Sequence, residues 1–231
     1  MIEKNKMKAV ITGDIIGSSK LLGNHRDMLN QNLKVLIDEL KEDGKPFSIY
    51  RGDSIQGIID KPAEALQTAI MIKANLKSIH NIDNYLKSGN RSNQYRTRRP
   101  FVDIRLSIGI GKVDYQQENI QESDGQAFRY SGRTLDEMKE RKRTIALTTS
   151  DKAINETWEV ILSLLDQLMD KWTISSAELI YALLKDEKEI EISERLGISQ
   201  PAVNHRKRYA SWDAIKAMLS LYQSQIKRIH G

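Results

Sequence analysis

Residues 8–16 read Lys-Ala-Val-Ile-Thr-Gly-Asp-Ile-Ile, and residues 47–59 read Phe-Ser-Ile-Tyr-Arg-Gly-Asp-Ser-Ile-Gln-Gly-Ile-Ile. The first stretch is rich in β-branched residues and predicts a strand. The second splits into two short strand patterns, 47–50 and 54–59, around Arg51-Gly52-Asp53, which predicts a hairpin. Each stretch sets an aspartate beside a glycine at a strand end. There the backbone can approach a phosphate closely and a carboxylate can meet a divalent cation. If the first strand lies beside the hairpin, Asp14 and Asp53 come together. Two carboxylates on adjacent strands form a Mg²⁺ site of the two-metal type. The competing reading for each Asp alone is a turn cap through an Asx hydrogen bond.

Working outward, Met28, Leu29, Leu33, Leu36, Ile37 and Leu40 fall at helical spacing, and Ser18 or Ser19 is placed to cap that helix. Gly44 and Pro46 end it. Pro62 opens a second helix with an apolar face of Ala65, Leu66, Ala69, Ile70, Ile72 and Leu76. Residues 81–100 are polar and basic and read as a loop. Val102 to Gly111 alternates as a half-buried strand, 124–141 reads as a helix or a loop into one, and 144–148 as a last strand. Residues 155–172 form a long amphipathic helix. The order β-α-β-β-α-β-α-β favours an α+β fold with a mixed or antiparallel sheet. The expected units are residues 1–150, a connecting helix at 151–172, and a helical unit at 173–231.

The helical unit carries its own signal between Thr173 and Trp212. Ile190, Ile192 and Leu196 give a short helix an apolar side, and Gly197 supplies a turn. Ile198 reads as a buried plug. Ser199 and Pro201 open the next helix, with Ala202 and Val203 facing inward. The spacing is that of a helix-turn-helix, whose second helix enters the major groove of double-stranded DNA. Gln200, Asn204 and His205 are candidates for base edges, and Arg206 and Arg208 for phosphates. From Ser199 to Gly231 there are six basic residues against one acid. The competing reading is a small helical bundle for protein contact. Lys207 stands where such helices often carry an apolar residue.

The whole chain of 231 residues is 39% hydrophobic and 29% charged with a formal charge of +5, as expected of a globular protein of one or two domains. It has no cysteine, which excludes disulfides, thiolate zinc sites and a cysteine nucleophile and is consistent with a reducing cytoplasm. The N-terminal residues lack a signal-peptide pattern. No stretch approaches the roughly 20 apolar residues of a membrane span. Arg105 reads as strand-surface charge, with a triphosphate contact as the competing reading. His25, His80 and His230, Asp136 and Glu137 also read as surface groups.

Asp14-Ile-Ile-Gly-Ser18, Arg51-Gly-Asp-Ser54, Ile104-Arg-Leu-Ser-Ile-Gly-Ile-Gly111 and Gly125-Gln-Ala-Phe-Arg-Tyr-Ser-Gly-Arg133 together resemble the catalytic domains of class III nucleotide cyclases. The resemblance implies a ferredoxin-like palm sheet with helices on one face. It implies that Asp14 and Asp53 hold Mg²⁺ or Mn²⁺. A nucleotide would lie among Gly13, Gly17, Ser18, Arg51, Gly52 and Glu122, and Arg133 would stabilise transition-state charge. It also implies a homodimer. The chain departs from that family at Ile49, where a purine-reading lysine stands, at Arg129 in place of an asparagine, and at Ser18-Ser19 in place of Phe-Thr. Residues 11–20, 50–59, 121–133 and 196–203 together are similar to the SatD family, bacterial proteins with a cyclase-like domain followed by a helix-turn-helix. The expected function is a DNA-binding, transcription-regulating protein whose palm domain binds nucleotide and Mg²⁺. The alternative is an active nucleotide cyclase or nucleotidyltransferase. A third reading keeps the palm domain for dimerisation alone.

Overall fold

The computed structural model describes residues 7–21, 23–50, 52–80, 100, 102–115 and 123–230. Strand β1 (Met7–Ile15) is the centre of the sheet. It pairs antiparallel with β3 (Ser54–Ile59) on one side and with β4 (Ile104–Tyr115) on the other. The hairpin partner β2 (Phe47–Tyr50) lies outside β3. With helices α1 (Asn24–Glu42) and α2 (Ala65–Lys77) between strands, the chain runs β1-α1-β2-β3-α2-β4. The spatial order β2-β3-β1-β4 is that of the ferredoxin-like palm. A short strand β5 (Asp124–Gly125) and a parallel strand β6 (Ile145–Thr148) both pair with β4.

Alternation along the strands sorts the two faces. Ala9, Ile11 and Ile15 of β1 and Ile104, Leu106, Ile108 and Ile110 of β4 face α1 and α2. Leu29, Leu33, Leu36, Ile37 and Leu40 line the buried stripe of α1. α2 is buried along its whole length except Gln67. The opposite face is covered too, which extends the expected arrangement of helices on one face. Helix α3 (Gln126–Arg141) packs Ala127 and Phe128 on Val10, Ile58 and Val113. Gly109 makes this contact close: a Cβ there would lie 2.2 Å from the Ala127 carbonyl oxygen.

The remaining helices are α4 (Lys152–Asp170), α5 (Ile174–Leu184), α6 (Glu189–Leu196), α7 (Gln200–Tyr209) and α8 (Trp212–His230). They do not build a separate core. One apolar cluster runs from the sheet through Trp158, Trp172 and Ile180 to Tyr222 and Ile226. Trp158 meets Tyr222 edge-on at 5.2 Å, and the Tyr222 hydroxyl donates to the Pro62 carbonyl. Tyr181 of α5 and Lys185, just past its end, both donate to Glu39 of α1. α5, α6 and α7 share a smaller cluster of Leu179, Ala182, Ile192 and Val203.

Two local expectations changed. Ser18 and Ser19 do not cap α1. Ser18 begins a short 3₁₀ turn, and α1 starts after Gly23. Pro62 likewise opens a 3₁₀ turn that runs into α2.

Candidate functional site

Antiparallel pairing brings three chain segments to one end of the sheet. Asp14 is directly opposite Ser54 on β3 and Arg105 on β4. The Ile15 amide donates to the Asp53 carbonyl. The Ser18 hydroxyl donates to the Asp53 carboxylate at 2.6 Å. Gly17 and Gly52, on either side of this junction, both have positive φ. Asp14 and Asp53 are thus neighbours, as the hairpin reading required.

Asp14 points to the α3 side of the sheet and is largely buried. Its Oδ2 lies 3.5 Å from Arg105 Nη1 and 3.9 Å from Lys139 Nζ on α3. Its Oδ1 is buried and has no hydrogen-bond partner. Burial raises the Asp14 carboxyl above its ordinary value. Arg105 and Lys139 oppose this, and the charge of Asp53 adds to it. The arrangement therefore keeps a carboxylate oxygen unsatisfied inside a partly buried, charge-rich corner, where a small hard cation would complete its shell. Among the described residues, no group of three or more His, Asp or Glu side chains is assembled to hold a metal ion. A cation here would take its remaining ligands from backbone, water or phosphate.

Arg105 was read from the sequence as surface charge and is instead half-buried against Asp14. Arg133 is exposed on α3. Gly13 packs tightly under β4: a Cβ there would lie 2.7 Å from Leu106 Cδ2. Arg51 and Glu122 lie outside the described residues, as does most of the 81–100 loop. The sequence reading missed Lys139 and the cluster on the other face. There Lys73 Nζ donates to Asp103 at 2.6 Å and to the Ile104 carbonyl at 2.8 Å, and Lys77 Nζ reaches Asp103 at 3.0 Å. The Asp103 carbonyl also accepts from the Ile16 amide.

In the tail, α6 ends at Gly197 with φ 61°, and α7 starts at once. Ser199 occupies the N-cap position, yet its hydroxyl makes no capping bond. Pro201, Asn204, His205, Arg208 and Tyr209 form one exposed face of α7. Gln200 is turned inward to Ser193 and the Glu189 carbonyl. Arg206 faces Glu178, and Lys207 pairs with Glu189. Lys207 keeps a partly exposed side chain rather than a deeply buried one. Ile198 is only partly buried.

The strand order and the two carboxylates at its end define an α+β protein of the palm type. Solved structures with a similar course of the chain include nucleotide cyclases. A bacterial light-regulated adenylyl cyclase is 16% identical, covers 64% of this chain and 44% of its own, and has a TM-score of 0.41. The adenylyl cyclase CyaB from P. aeruginosa is 16% identical over 59% of this chain and 74% of its own, with a TM-score of 0.40. A class III adenylyl cyclase-like ATP-binding protein from Pseudomonas aeruginosa is 12% identical over 78% of this chain and 43% of its own, with a TM-score of 0.35. The chain therefore spans less than half the length of the first of these. No protein-family profile matches the chain, and no curated protein does. No helix among the described residues is long and apolar enough to cross a membrane.

Proposed function

We propose that the sheet end around Asp14 and Asp53 binds a nucleotide through a divalent cation, and that the chain is a DNA-binding regulator responsive to that nucleotide. The observation that carries the first part is the buried, unpartnered Oδ1 of Asp14 beside Asp53. A buried carboxylate oxygen without a partner costs free energy, which a cation bound at that oxygen would recover. Asp14 and Asp53 would hold Mg²⁺ or Mn²⁺, and the cation would neutralise phosphate charge. Ser18 fixes the Asp53 carboxylate from one side. The backbone of Gly17 and Gly52 leaves room for phosphate oxygens at the same corner, whereas Gly13 is packed against Leu106.

The DNA part rests on the exposed face of α7. Asn204, His205 and Arg208 are free to meet a major groove, with Tyr209 beside them. Gln200 and Arg206 would first have to leave Ser193 and Glu178. The readers that fit best are therefore Asn204, His205 and Arg208. The exposed position of Arg133 favours a second reading, an active cyclase or nucleotidyltransferase. There Arg133 would come from a second copy of the chain, in the homodimer that the motif resemblance implies.

Titrating the full chain with each NTP in Mn²⁺, while assaying for product, tests the site. Binding without product, lost in Asp14→Asn, is the expected result. Product formation would move the reading to the enzyme, and no binding of any NTP would end it. Binding to duplex DNA at low salt, falling steeply as salt rises and lost in a combined Asn204→Ala and Arg208→Ala variant, is expected of the tail. Its absence at low salt would overturn the DNA reading.

A further inference from the structure

We infer that Lys139 is a resident counter-ion that a divalent cation must displace from Asp14, so that this lysine sets the metal affinity of the site. The inference rests on the reading of Asp14 as a metal ligand.

The two cations at Asp14 are held differently. Arg105 is fixed by the sheet, directly opposite Asp14 in the β1–β4 register, and its side chain is 22% exposed. Its reach to Asp14 is set by two paired strands. Lys139 comes from the last turns of α3 on a flexible stem, and its side chain is 50% exposed. It stands 3.9 Å from Asp14 Oδ2 and 3.8 Å from Asp136 Oδ1, one helical turn back. Asp136 is 81% exposed. Lys139 therefore has two carboxylates within reach, one at the site and one in solvent. A cation arriving at Asp14 repels the ammonium, and Asp136 is placed to receive it. Arg105 stays at Oδ2, and the metal takes the unpartnered Oδ1 once the Lys139 charge has moved off the same carboxylate.

This predicts a site that is charge-compensated before metal arrives. Metal binding then involves an exchange of cations rather than a simple addition. Removing Lys139 removes the competitor without touching a metal ligand. Since it is half-exposed, its effect is screened and modest, and it weakens further with salt.

Mn²⁺ binding to the full chain alone, followed by electron paramagnetic resonance of the free ion, reads this out with no nucleotide and no turnover. Lys139→Gln is expected to tighten Mn²⁺ by about three- to tenfold, as expected for removing one screened charge a few ångströms from the ligand. Asp136→Asn, which removes the receiver, is expected to weaken it by roughly twofold. The gap between Lys139→Gln and wild type should narrow as salt is raised. Unchanged or weaker Mn²⁺ binding in Lys139→Gln, with binding still abolished by Asp14→Asn, overturns the inference and leaves the metal site standing. No Mn²⁺ binding in any variant, or binding unaffected by Asp14→Asn, overturns the metal site and the inference with it.

Discussion

Two clusters flank the same strand end, and each contains one aspartate and two cations. On the α1/α2 face, Asp103 takes Lys73 at 2.6 Å and Lys77 at 3.0 Å, and both lysines are buried. On the α3 face, Asp14 has Arg105 at 3.5 Å and Lys139 at 3.9 Å, with one oxygen unpartnered. The first cluster is closed: both carboxylate oxygens are used, and the cations have nowhere else to go. The second is loose, and one of its cations has another partner. The same three charges thus make a structural clamp on one face and an available ligand on the other. The difference lies in burial and in how far each oxygen is already satisfied.

The pKa directions follow the same division. Burial pushes the Asp103 carboxyl up, but Lys73 and Lys77 more than reverse this, so it lies below its ordinary value. Burial leaves Asp14 above its own. Asp103 thus contributes stability that is present above the ordinary carboxylate pKa and is lost as pH falls through the lowered folded value. Asp14 has the opposite sign. Its folded form holds a proton more readily, so stability is given up as pH climbs from the ordinary value of 3.8 through the raised one.

The largest effect should come from breaking the closed cluster. Asp103→Asn leaves two buried ammonium groups without an anion and should cost about 3–5 kcal/mol in chemical denaturation. It should also flatten the acid limb of the stability profile. A loss below 1 kcal/mol would show that the two clusters are alike after all. Next is Gly109→Ala, which drives a methyl group into the backbone of α3. It should cost roughly 1–3 kcal/mol and carry Lys139 away from Asp14. If Lys139 governs the metal, Mn²⁺ affinity rises in this variant even as the fold weakens. Tyr181→Phe removes a half-buried hydrogen bond to Glu39. It should cost about 1 kcal/mol without changing Mn²⁺ binding, which serves as a control that touches neither aspartate. The smallest effect has the opposite direction. Asp14→Asn should stabilise the chain by roughly 0.5–1 kcal/mol at neutral pH, as expected of a residue kept for function. That gain should vanish below pH 3.8, where the wild-type carboxyl is itself protonated.

Much of this architecture was legible in the residues. The strands at 8–16, 47–59 and 102–111 alternate or carry β-branched runs, and Gly-Asp pairs at their ends located Asp14 and Asp53. The pairing of Arg105 with Asp14 was not legible, because it depends on the β1–β4 register, which no local pattern encodes. Lys73 and Lys77 had a signal that went unread. Counting from Leu66, positions 69, 70, 73 and 77 continue the apolar face of α2, so two lysines sat on a buried stripe. The covering of both sheet faces had a signal as well. Gly109 and Gly111 alternate on β4, and bare backbone on one face of a strand marks the close approach of another element. The tail misled differently. The helices on either side of Gly197 stand where the residues place them, but the 19-residue α8 was not read as a helix, and Gln200 and Arg206 turn inward because their partners Ser193 and Glu178 lie on other helices.

The shared core has a consequence for how the protein is made. Tyr222 of α8 reaches back to Pro62, a contact 160 residues long in sequence, and Ile226 completes the same apolar cluster as Ala9 and Ile11. During synthesis α1, α2 and α3 can cover the sheet first, while Trp158 and the turn at Pro62 stay uncovered until α8 has left the ribosome.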